Sequence, residues 1–245
     1  MSSNAEIANF LDDVLKDWRK NRGEFPHNTY PENQWPIPFF GNPVSALVAT
    51  VGVNPSSIEF SSNRNWIAVQ ADTDWHQRLE HYFTGSIPAY NWFDPWRSGL
   101  PLLNISYETD TVAHFDVSYR STIAMFDNPE TDSEEFRRMV EQDIAWFFRL
   151  LHLCPKLRGL LVFGKILRDN GTRESLAGFI RRSAPRHGFS VLPDGGICHE
   201  SNGQLPKNLF LHDVSAPGAG TITDQVVANL TQHRAELLKK IHRNE

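Results

Sequence analysis

The chain is poor in cysteine, in net positive charge and in long hydrophobic runs. Its two cysteines, Cys154 and Cys198, cannot by themselves build a disulfide framework or a four-cysteine iron–sulfur or zinc site, so we expect two buried thiols. A net charge of −5 argues against a protein that coats nucleic acid by bulk electrostatics. No stretch approaches the roughly 18 consecutive apolar residues of a membrane helix, and the N-terminus lacks a signal-peptide core, so we expect a cytoplasmic protein without membrane contact.

The composition is that of a globular protein with a sizeable core. Of the 245 residues, 40% are hydrophobic and 22% are charged, which excludes collagen-like, coiled-coil and disordered chains. No low-complexity linker divides the sequence. We therefore expect a single domain over 1–245, with an N-terminal helix at 4–21 packed on it, acting as a monomer.

Short apolar runs alternate with helical patterns along the chain. Strands are predicted at 46–53, 111–117, 159–163 and 208–212, and helices at 5–20, 133–152, 165–181 and 222–242. Alternation of this kind indicates the α/β class, here a three-layer α/β/α sandwich around a mainly parallel sheet of four to five strands. The stretch 84–110, rich in aromatic residues, Pro and Gly, is expected to be a functional loop or a cover over the core.

Polar side chains stand at the ends of all four predicted strands. Asn54 follows the first strand, Asp116 ends the second, Lys165 follows the third, and His212 and Ser215 stand at the fourth. The carboxyl ends of parallel strands meet at one edge of a sheet, where α/β proteins bind their ligands. We therefore expect these residues to converge on one rim.

Four segments resemble motifs of the uracil-DNA glycosylase superfamily, in the expected order. PFFGNPVSALVATVGVNPSS is similar to the first motif, a strand that ends in a Gly-x-Asn-Pro turn, while AHFDVSYRST and LVFGK resemble the second and third strands with their ends. FLHDVSAPGAG resembles the late His-x-Ser-Pro motif, although His-Pro-Ser-Pro has become His-Asp-Val-Ser-Ala-Pro. The resemblance covers about 35–219 and is closest in style to the single-strand-selective and mismatch-specific branches.

The resemblance implies a monofunctional DNA glycosylase that needs no cofactor and has DNA as its partner. Asn54 would position the attacking water, the position of Asp116 would read the flipped base, and His212 would face that base. Because the chain has two cysteines, it differs from the iron–sulfur branch, and no iron–sulfur cluster is expected. No lysine is evidently placed for Schiff-base chemistry, although Lys165 lies close enough to the rim to keep that open.

The chemistry of the reaction asks for the same residue types. Hydrolysis of an N-glycosidic bond leaves an electron-deficient sugar and an anionic base, so the site needs a polar group that holds water and a donor near the base. Asn54 and His212 fit these roles, since a dissociative reaction needs a positioned water more than a basic one. The alternative for His212 is a structural histidine inside the fold.

Asp116 is the main departure from the family pattern, in which this residue is usually Asn. An Asn side chain both donates and accepts, whereas an ionised Asp only accepts. Cytosine offers an amino donor where uracil has an oxygen, so Asp116 favours a cytosine derivative. A carboxylate at a strand end is as often a helix cap or the partner of an arginine, and Arg120 is close in sequence.

Further candidates concern the flipped base and the DNA backbone. Phe60 and Trp66 are predicted to stack on the base. Contacts to DNA are predicted for Ser56, Ser57, Lys165, Ser215, Ala216, Pro217 and Gly218. A basic run, Lys165, Arg168, Arg173, Arg181, Arg182 and Arg186, is either a phosphate-contacting surface or an ordinary solvated face. No histidine or cysteine set has a recognised metal-ligand spacing, so we assign no metal.

The sequence thus leads to a ranked set of hypotheses. The first is a DNA glycosylase that excises a modified cytosine, such as hydroxymethylated or glucosylated hydroxymethylcytosine of phage DNA, in antiviral defence. A uracil-excising enzyme of base-excision repair is the alternative within the same class. A non-catalytic DNA- or nucleotide-binding module and a hydrolase of free nucleosides are rivals from other classes.

Overall fold

The computed structural model describes residues 4–21, 24–25, 35–55, 72–85, 88–121, 133–167, 171–199, 207–215 and 221–242. Within them the helices are α1 (Asn4–Lys20), α2 (Asp72–Glu80), α3 (Asp94–Gly99), α4 (Ser133–His152), α5 (Leu176–Ser183), α6 (Ile222–Gln232) and α7 (Arg234–Ile241). The strands are β1 (Phe39–Phe40), β2 (Val48–Gly52), β3 (Val112–Asp116), β4 (Gly159–Val162), β5 (Lys165–Leu167), β6 (Arg173–Ser175), β7 (Phe189–Val191), β8 (Ile197–His199) and β9 (Lys207–Asp213). The chain is therefore a mixed α/β protein.

Seven of the described strands form one sheet, in the order β1-β3-β2-β4-β9-β8-β7. The four central strands, β3, β2, β4 and β9, are parallel, and β1, β8 and β7 are antiparallel additions at the two edges. Every residue of β2, β3 and β4 is buried, which is typical of parallel strands covered on both faces. The four predicted strands are all present and lie next to one another.

The sheet is larger than the four to five strands expected from the sequence. The three additional strands have only two or three residues each, which is too short for an alternating pattern to reveal. They pair with β3, β9 and β8, whose exposed edges they cover. The expected sheet is thus correct for its parallel centre and wrong for its edges.

The helix predicted at 165–181 is wrong in its first half. That half contains the antiparallel pair β5 and β6, which forms a separate two-stranded sheet. Gly171, between the two strands, has a φ of +75°, a conformation that a helix cannot contain. The helix α5 begins only after Ser175, whose hydroxyl accepts a hydrogen bond from the backbone N–H of Gly178 as an N-cap.

Two other predicted segments differ from the prediction: one predicted helix is divided in two, and one predicted loop contains short helices. The helix expected at 222–242 is interrupted at His233, which separates α6 from α7. The irregular stretch 84–110 contains α3 and two short 3₁₀ turns, at Asn91–Phe93 and Leu100–Leu103. Since Phe93 and Trp96 are buried there, this stretch covers the core.

The N-terminal helix α1 packs on the rest of the domain. Its buried side chains join the main hydrophobic core, Phe10 contacts the ring of Trp146 edge-on at 6.1 Å, and Arg149 of α4 donates to Asp13 at 2.6 Å. Both cysteines are buried thiols, as predicted, and burial raises the pKa of Cys154 to about 12. Among the described helices, none combines the length and apolarity needed to cross a membrane.

Candidate functional site

The four parallel strands lie side by side in the order β3, β2, β4, β9. Numbered along the chain, these are the second, first, third and fourth parallel strands, and this order indicates where a ligand binds. In such sheets the ligand crevice lies outside the carboxyl ends of the first and third strands, where successive connections leave in opposite directions. Here those strands are β2 and β4, which pair directly. Asn54 follows β2 within two residues, so the predicted water-positioning residue stands at this crevice.

Asn54 is half-buried and held by the backbone around it. Its Nδ2 donates to the carbonyl of Pro55 at 3.0 Å and points to the carbonyl of Arg120 at 3.5 Å. Since the loop after β3 contains Arg120, the second contact joins the ends of the first two parallel strands. The amide group is thereby oriented before any ligand arrives.

Strand register groups the rim side chains into rows across the sheet. Thr50 pairs with His114 and with Leu161, and Leu161 pairs with His212, so these four side chains share one face. Gly52 pairs with Asp116 one row nearer the carboxyl ends. Asp116 and His212 therefore face the same side but stand three strands apart, a lateral separation of about 14 Å at roughly 4.8 Å per strand.

A buried chain of polar side chains leads to Asp116. The hydroxyl of Tyr107 lies 2.7 Å from Oγ1 of Thr50, which lies 2.9 Å from Nδ1 of His114. On the other side of the imidazole, Nε2 is 3.4 Å from Oδ1 of Asp116. Each of these side chains is buried, so their contacts act in a medium of low dielectric constant, where they are stronger than in water.

Asp116 is buried, and the polar contact of its carboxylate is the 3.4 Å approach of His114 to Oδ1. Its second oxygen, Oδ2, has no hydrogen-bond partner among the described residues. Burial raises the pKa of Asp116, while the neighbouring His114 lowers it. Because an unpartnered buried polar atom is costly and rare in native proteins, Oδ2 is the strongest local indication of a ligand contact.

Arg120 does not pair with Asp116, contrary to the alternative drawn from their closeness in sequence. Its Nε donates to Asp143 of α4 at 3.1 Å, and the hydroxyl of Ser118 donates to the same carboxylate at 2.6 Å. Burial raises the pKa of Asp143 to about 6, against the opposing effects of Arg120 and Ser118. This ion pair holds the loop after β3 against α4. The ionic contact of Asp116 is with His114 instead.

Aromatic side chains surround the His114–Asp116 pair. The imidazole stacks on Phe40 at 6.2 Å and meets Trp92 edge-on at 5.1 Å. Trp92 is partly exposed.

Phe163, also partly exposed, extends the β4 ladder by donating its N–H to the carbonyl of Val51, and its ring lies 6.5 Å from that of Trp96. Trp92 and Phe163 are therefore candidate surfaces for stacking a planar ring at the strand ends.

His212 is half-buried, and one of its nitrogens is occupied. Its Nε2 lies 2.7 Å from Oδ1 of Asn229 in α6. A carbonyl oxygen can only accept, so Nε2 carries the proton, and Nδ1 of the neutral ring is an acceptor. Burial lowers the pKa of His212, which favours this neutral form. In this geometry His212 behaves as the structural histidine of the alternative, without a free donor for a base.

The ends of β4 and β9 are tied together by Ser215. The N–H of Gly164 donates to Oγ of Ser215 at 2.9 Å, and the N–H of Ser215 donates to Oδ1 of Asp213 at 3.0 Å. Gly164 has a φ of +124°, which brings this turn next to Val53. Lys165, which follows, is exposed. Ser215 is therefore a structural link at the rim, and Lys165 is a surface cation beside it.

No protein-family model matches the chain, and no curated protein matches it either.

The structure brings together only some of the predicted site residues. Asn54, Asp116, Lys165 and Ser215 lie at the carboxyl ends of the parallel strands, and His212 lies one row below them. The predicted stacking and DNA-contacting residues Phe60, Trp66, Ser56, Ser57, Ala216, Pro217 and Gly218 lie outside the described residues.

The predicted basic run is divided among several elements. Lys165 is in β5 and Arg173 in β6, and Arg168 lies outside the described residues. Arg181 donates to the carbonyls of Gly195 and Leu211 at 2.6 and 3.2 Å. Arg182 forms an ion pair with Glu174 at 2.6 Å. Arg181 and Arg182 thus have structural partners, which weakens the interpretation of the run as one phosphate-binding face.

Residues that the sequence analysis missed complete the site. His114, Thr50 and Tyr107 form the chain behind Asp116, and Trp92 stands beside it. Alternation along the second strand already places His114 and Asp116 on one face, so that pair could have been found. In the part of the chain that is described, no group of three or more His, Cys, Asp or Glu side chains could hold a metal ion.

Proposed function

We propose that this protein is a DNA glycosylase that hydrolyses the N-glycosidic bond of a flipped-out modified cytosine and leaves an abasic site. One observation carries the proposal. Asn54 stands at the ligand crevice of the parallel sheet, and the next strand end holds the buried carboxylate of Asp116, whose Oδ2 has no hydrogen-bond partner among the described residues. A polar amide that can hold water and an acceptor that can read an amino group are what this reaction on cytosine requires.

In this proposal the oriented amide of Asn54 holds the attacking water against the sugar. An amide is a poor base, but hydrolysis through an electron-deficient sugar needs position more than basicity. The departing base stacks on Trp92 or on Phe163, in addition to the contacts predicted for Phe60 and Trp66. Its exocyclic amino group donates to Oδ2 of Asp116.

The contribution of His212 is narrower than the sequence suggests. The Nε2–H of His212 donates a hydrogen bond to Asn229. Donation to the departing base would therefore require a second proton on Nδ1, and burial disfavours this charged form because it lowers the pKa of His212. The proposal therefore depends on Asn54 and Asp116, with His212 maintaining the contact between β9 and α6. The same proposal includes a three-layer α/β/α domain that works as a cytoplasmic monomer on DNA.

The biological role within this proposal is defence against phages with modified cytosine, rather than repair of uracil. The acceptor character of Asp116 favours a cytosine-type base over uracil, because uracil presents an oxygen and an N–H in place of the amino group and ring nitrogen of cytosine. Protection of cells from phages whose DNA carries hydroxymethylated or glucosylated cytosine, set against complementation of a uracil-repair-deficient strain, separates the two roles.

The direct test is abasic-site formation on matched oligonucleotides. Each carries one uracil, cytosine, hydroxymethylcytosine or glucosylated hydroxymethylcytosine, and product is scored after cleavage of the abasic site. Asn54→Ala should lower the rate at least about 100-fold, the scale for a group that positions a reactant. Asn208→Ala is the matched control, since Asn208 is exposed near the amino end of β9 and should leave the rate unchanged.

A non-catalytic binding module is the second candidate, and the engaged Nε2 of His212 favours it. Without a donor for the departing anion, the same rim could bind a nucleotide or an extruded base without hydrolysing it. That candidate predicts binding to the oligonucleotides and no abasic product with any of them, from the wild type or from Asn54→Ala.

A further inference from the structure

Tyr107 determines which group donates in each hydrogen bond of the buried chain Tyr107–Thr50–His114. Burial raises the pKa of Tyr107, so its hydroxyl keeps its proton, and Thr50 is its hydrogen-bond partner in the described structure. Tyr107 therefore donates to Oγ1 of Thr50, and the hydroxyl of Thr50 donates to Nδ1 of His114. A neutral imidazole that accepts at Nδ1 carries its proton on Nε2.

The Nε2 proton of His114 lies on the side of Asp116. The two groups are 3.4 Å apart and almost completely buried, with side-chain exposures of 3% and 2%. An Nε2 proton at this distance from Oδ1 stabilises the ionised carboxylate electrostatically, in opposition to burial, which favours the neutral acid. The ring itself is fixed by Phe40 on its face and by Trp92 and Phe93 at its edges.

The ionisation state of Asp116 decides what Oδ2 can recognise. An ionised carboxylate presents only lone pairs at Oδ2, which match an amino donor. A neutral acid can carry its proton on Oδ2, which then donates and matches an exocyclic carbonyl oxygen. The same residue would thus read opposite functional groups in its two states.

We propose that His114 is a positioning residue that keeps Asp116 an acceptor, and that it thereby selects a ring bearing an exocyclic amino group over the same ring bearing an oxygen. The proposal rests on the function proposed above, because it assigns Asp116 to the reading of the base. Thr50 and Tyr107 take part by holding the Nε2-protonated form of His114.

The test compares two duplexes that differ only in the functional group read by Asp116. One carries a single 5-hydroxymethylcytosine, the other a single 5-hydroxymethyluracil, and single-turnover rates of abasic-site formation give a preference ratio. His114→Phe keeps a ring between Phe40 and Trp92 but removes both nitrogens. We expect it to shift the ratio toward the uracil derivative by about tenfold or more, within the discrimination of one well-placed base contact.

Two further variants separate specificity from general damage. Thr50→Val removes the donor to Nδ1 and should shift the ratio in the same direction by a smaller factor. His114→Gln supplies an amide donor near the position of Nε2 and should restore part of the wild-type ratio. Thermal unfolding identifies variants that fail to fold. Equal loss of both rates in folded His114→Phe, with the ratio unchanged, overturns the proposal.

A second readout does not depend on activity. The ¹³C shift of the Asp116 carboxyl group at neutral pH, assigned with Asp116→Asn, should report an ionised group in the wild type and a protonated one in His114→Phe. An identical ionisation state in the two proteins overturns the role of His114. If the wild-type enzyme forms no abasic site in any oligonucleotide, the proposed function fails, and this measurement still decides whether His114 controls Asp116.

Discussion

A Cβ atom on Gly52 would lie 3.0 Å from Oδ1 of Asp116 and 3.3 Å from the imidazole of His114. The two residues pair in register across β2 and β3, and the missing side chain at position 52 leaves the space that the Asp116 carboxylate occupies. The first motif of the sequence and the proposed base-reading residue are thus in direct contact, although 64 residues separate them.

Gly52→Ala should therefore disturb the site more than the fold. The added methyl group must displace the carboxylate or the imidazole by a few tenths of an ångström, and small misplacements of this kind lower rates by about 10- to 100-fold. Gly178→Ala is the control, because its Cβ would meet neighbouring atoms at 3.4 Å or more. Activity on the preferred oligonucleotide, measured beside thermal unfolding, checks the prediction. A Gly52→Ala enzyme with wild-type rates would contradict it.

Asp116→Asn should stabilise the protein. The substitution replaces a buried charge by a neutral amide of the same shape, and we expect the free energy of unfolding to rise by about 1 kcal/mol at neutral pH. Since the pKa of Asp116 is raised above its ordinary value, its ionised form is penalised in the folded state above that pKa. The advantage of Asn should shrink as the pH falls and the carboxylate is protonated. Urea unfolding at several pH values measures both effects, and a destabilised Asp116→Asn at neutral pH would show that the carboxylate is structurally required.

Asp143→Asn should have the opposite effect. The Asp143 carboxylate accepts from both Arg120 and Ser118, and its replacement leaves the buried guanidinium with the carboxylate of Asp17, 3.8 Å away, as its remaining ionic partner, at a cost of about 2 kcal/mol. The exposed pair Arg137–Glu141 provides the control, since Glu141→Gln should change stability by about 0.5 kcal/mol or less. Urea unfolding at neutral pH compares the two, and equal effects would contradict the assignment of Asp143 as the anchor of the β3 loop.

The contact between α4 and β8 should weaken in acid through His152. Its ring meets His199 at 4.0 Å, and its pKa is lowered from 6.5 to about 4 by burial, with His199 and Lys207 contributing. The unfolded chain therefore binds a proton between about pH 6.5 and pH 4 that the folded chain does not bind, so stability falls over that window as the pH is lowered.

The variant His152→Gln isolates this effect. The difference in the free energy of unfolding between wild type and His152→Gln should be constant above about pH 7 and should move against the wild type as the pH falls toward 4. Urea unfolding across this range measures it. A difference that does not vary with pH would contradict the lowered pKa.

The sequence predicted the parallel centre of the fold and part of the site because both depend on local patterns. The apolar runs at β2, β3, β4 and β9 are long enough to be recognised, and parallel strands bring Asn54 and Asp116 to one edge. The partners of Asp116 depend on tertiary contacts instead. Tyr107 reaches Thr50 across 57 residues, and nothing in the spacing of these residues indicates that contact.

Closeness in sequence was misleading in two places. Arg120 is near Asp116 along the chain but bonds to Asp143 on α4, because the chain turns away from the sheet after β3. The basic run after Lys165 has helical spacing in part, yet Gly171 and the Ser175 cap divide it into a hairpin and a short helix. A tertiary contact decided the first outcome, and local conformation at Gly171 and Ser175 decided the second.

Abasic-site formation by the wild type and by Asn54→Ala is measured first on a duplex that carries one hydroxymethylcytosine. Its glucosylated form, plain cytosine and uracil are run in parallel. We expect product from a modified cytosine, little from cytosine or uracil, and a loss of at least about 100-fold in Asn54→Ala, with Asn208→Ala unchanged. Product from uracil alone would contradict the role assigned to Asp116. Binding without any abasic product would contradict the glycosylase assignment and would support the binding module.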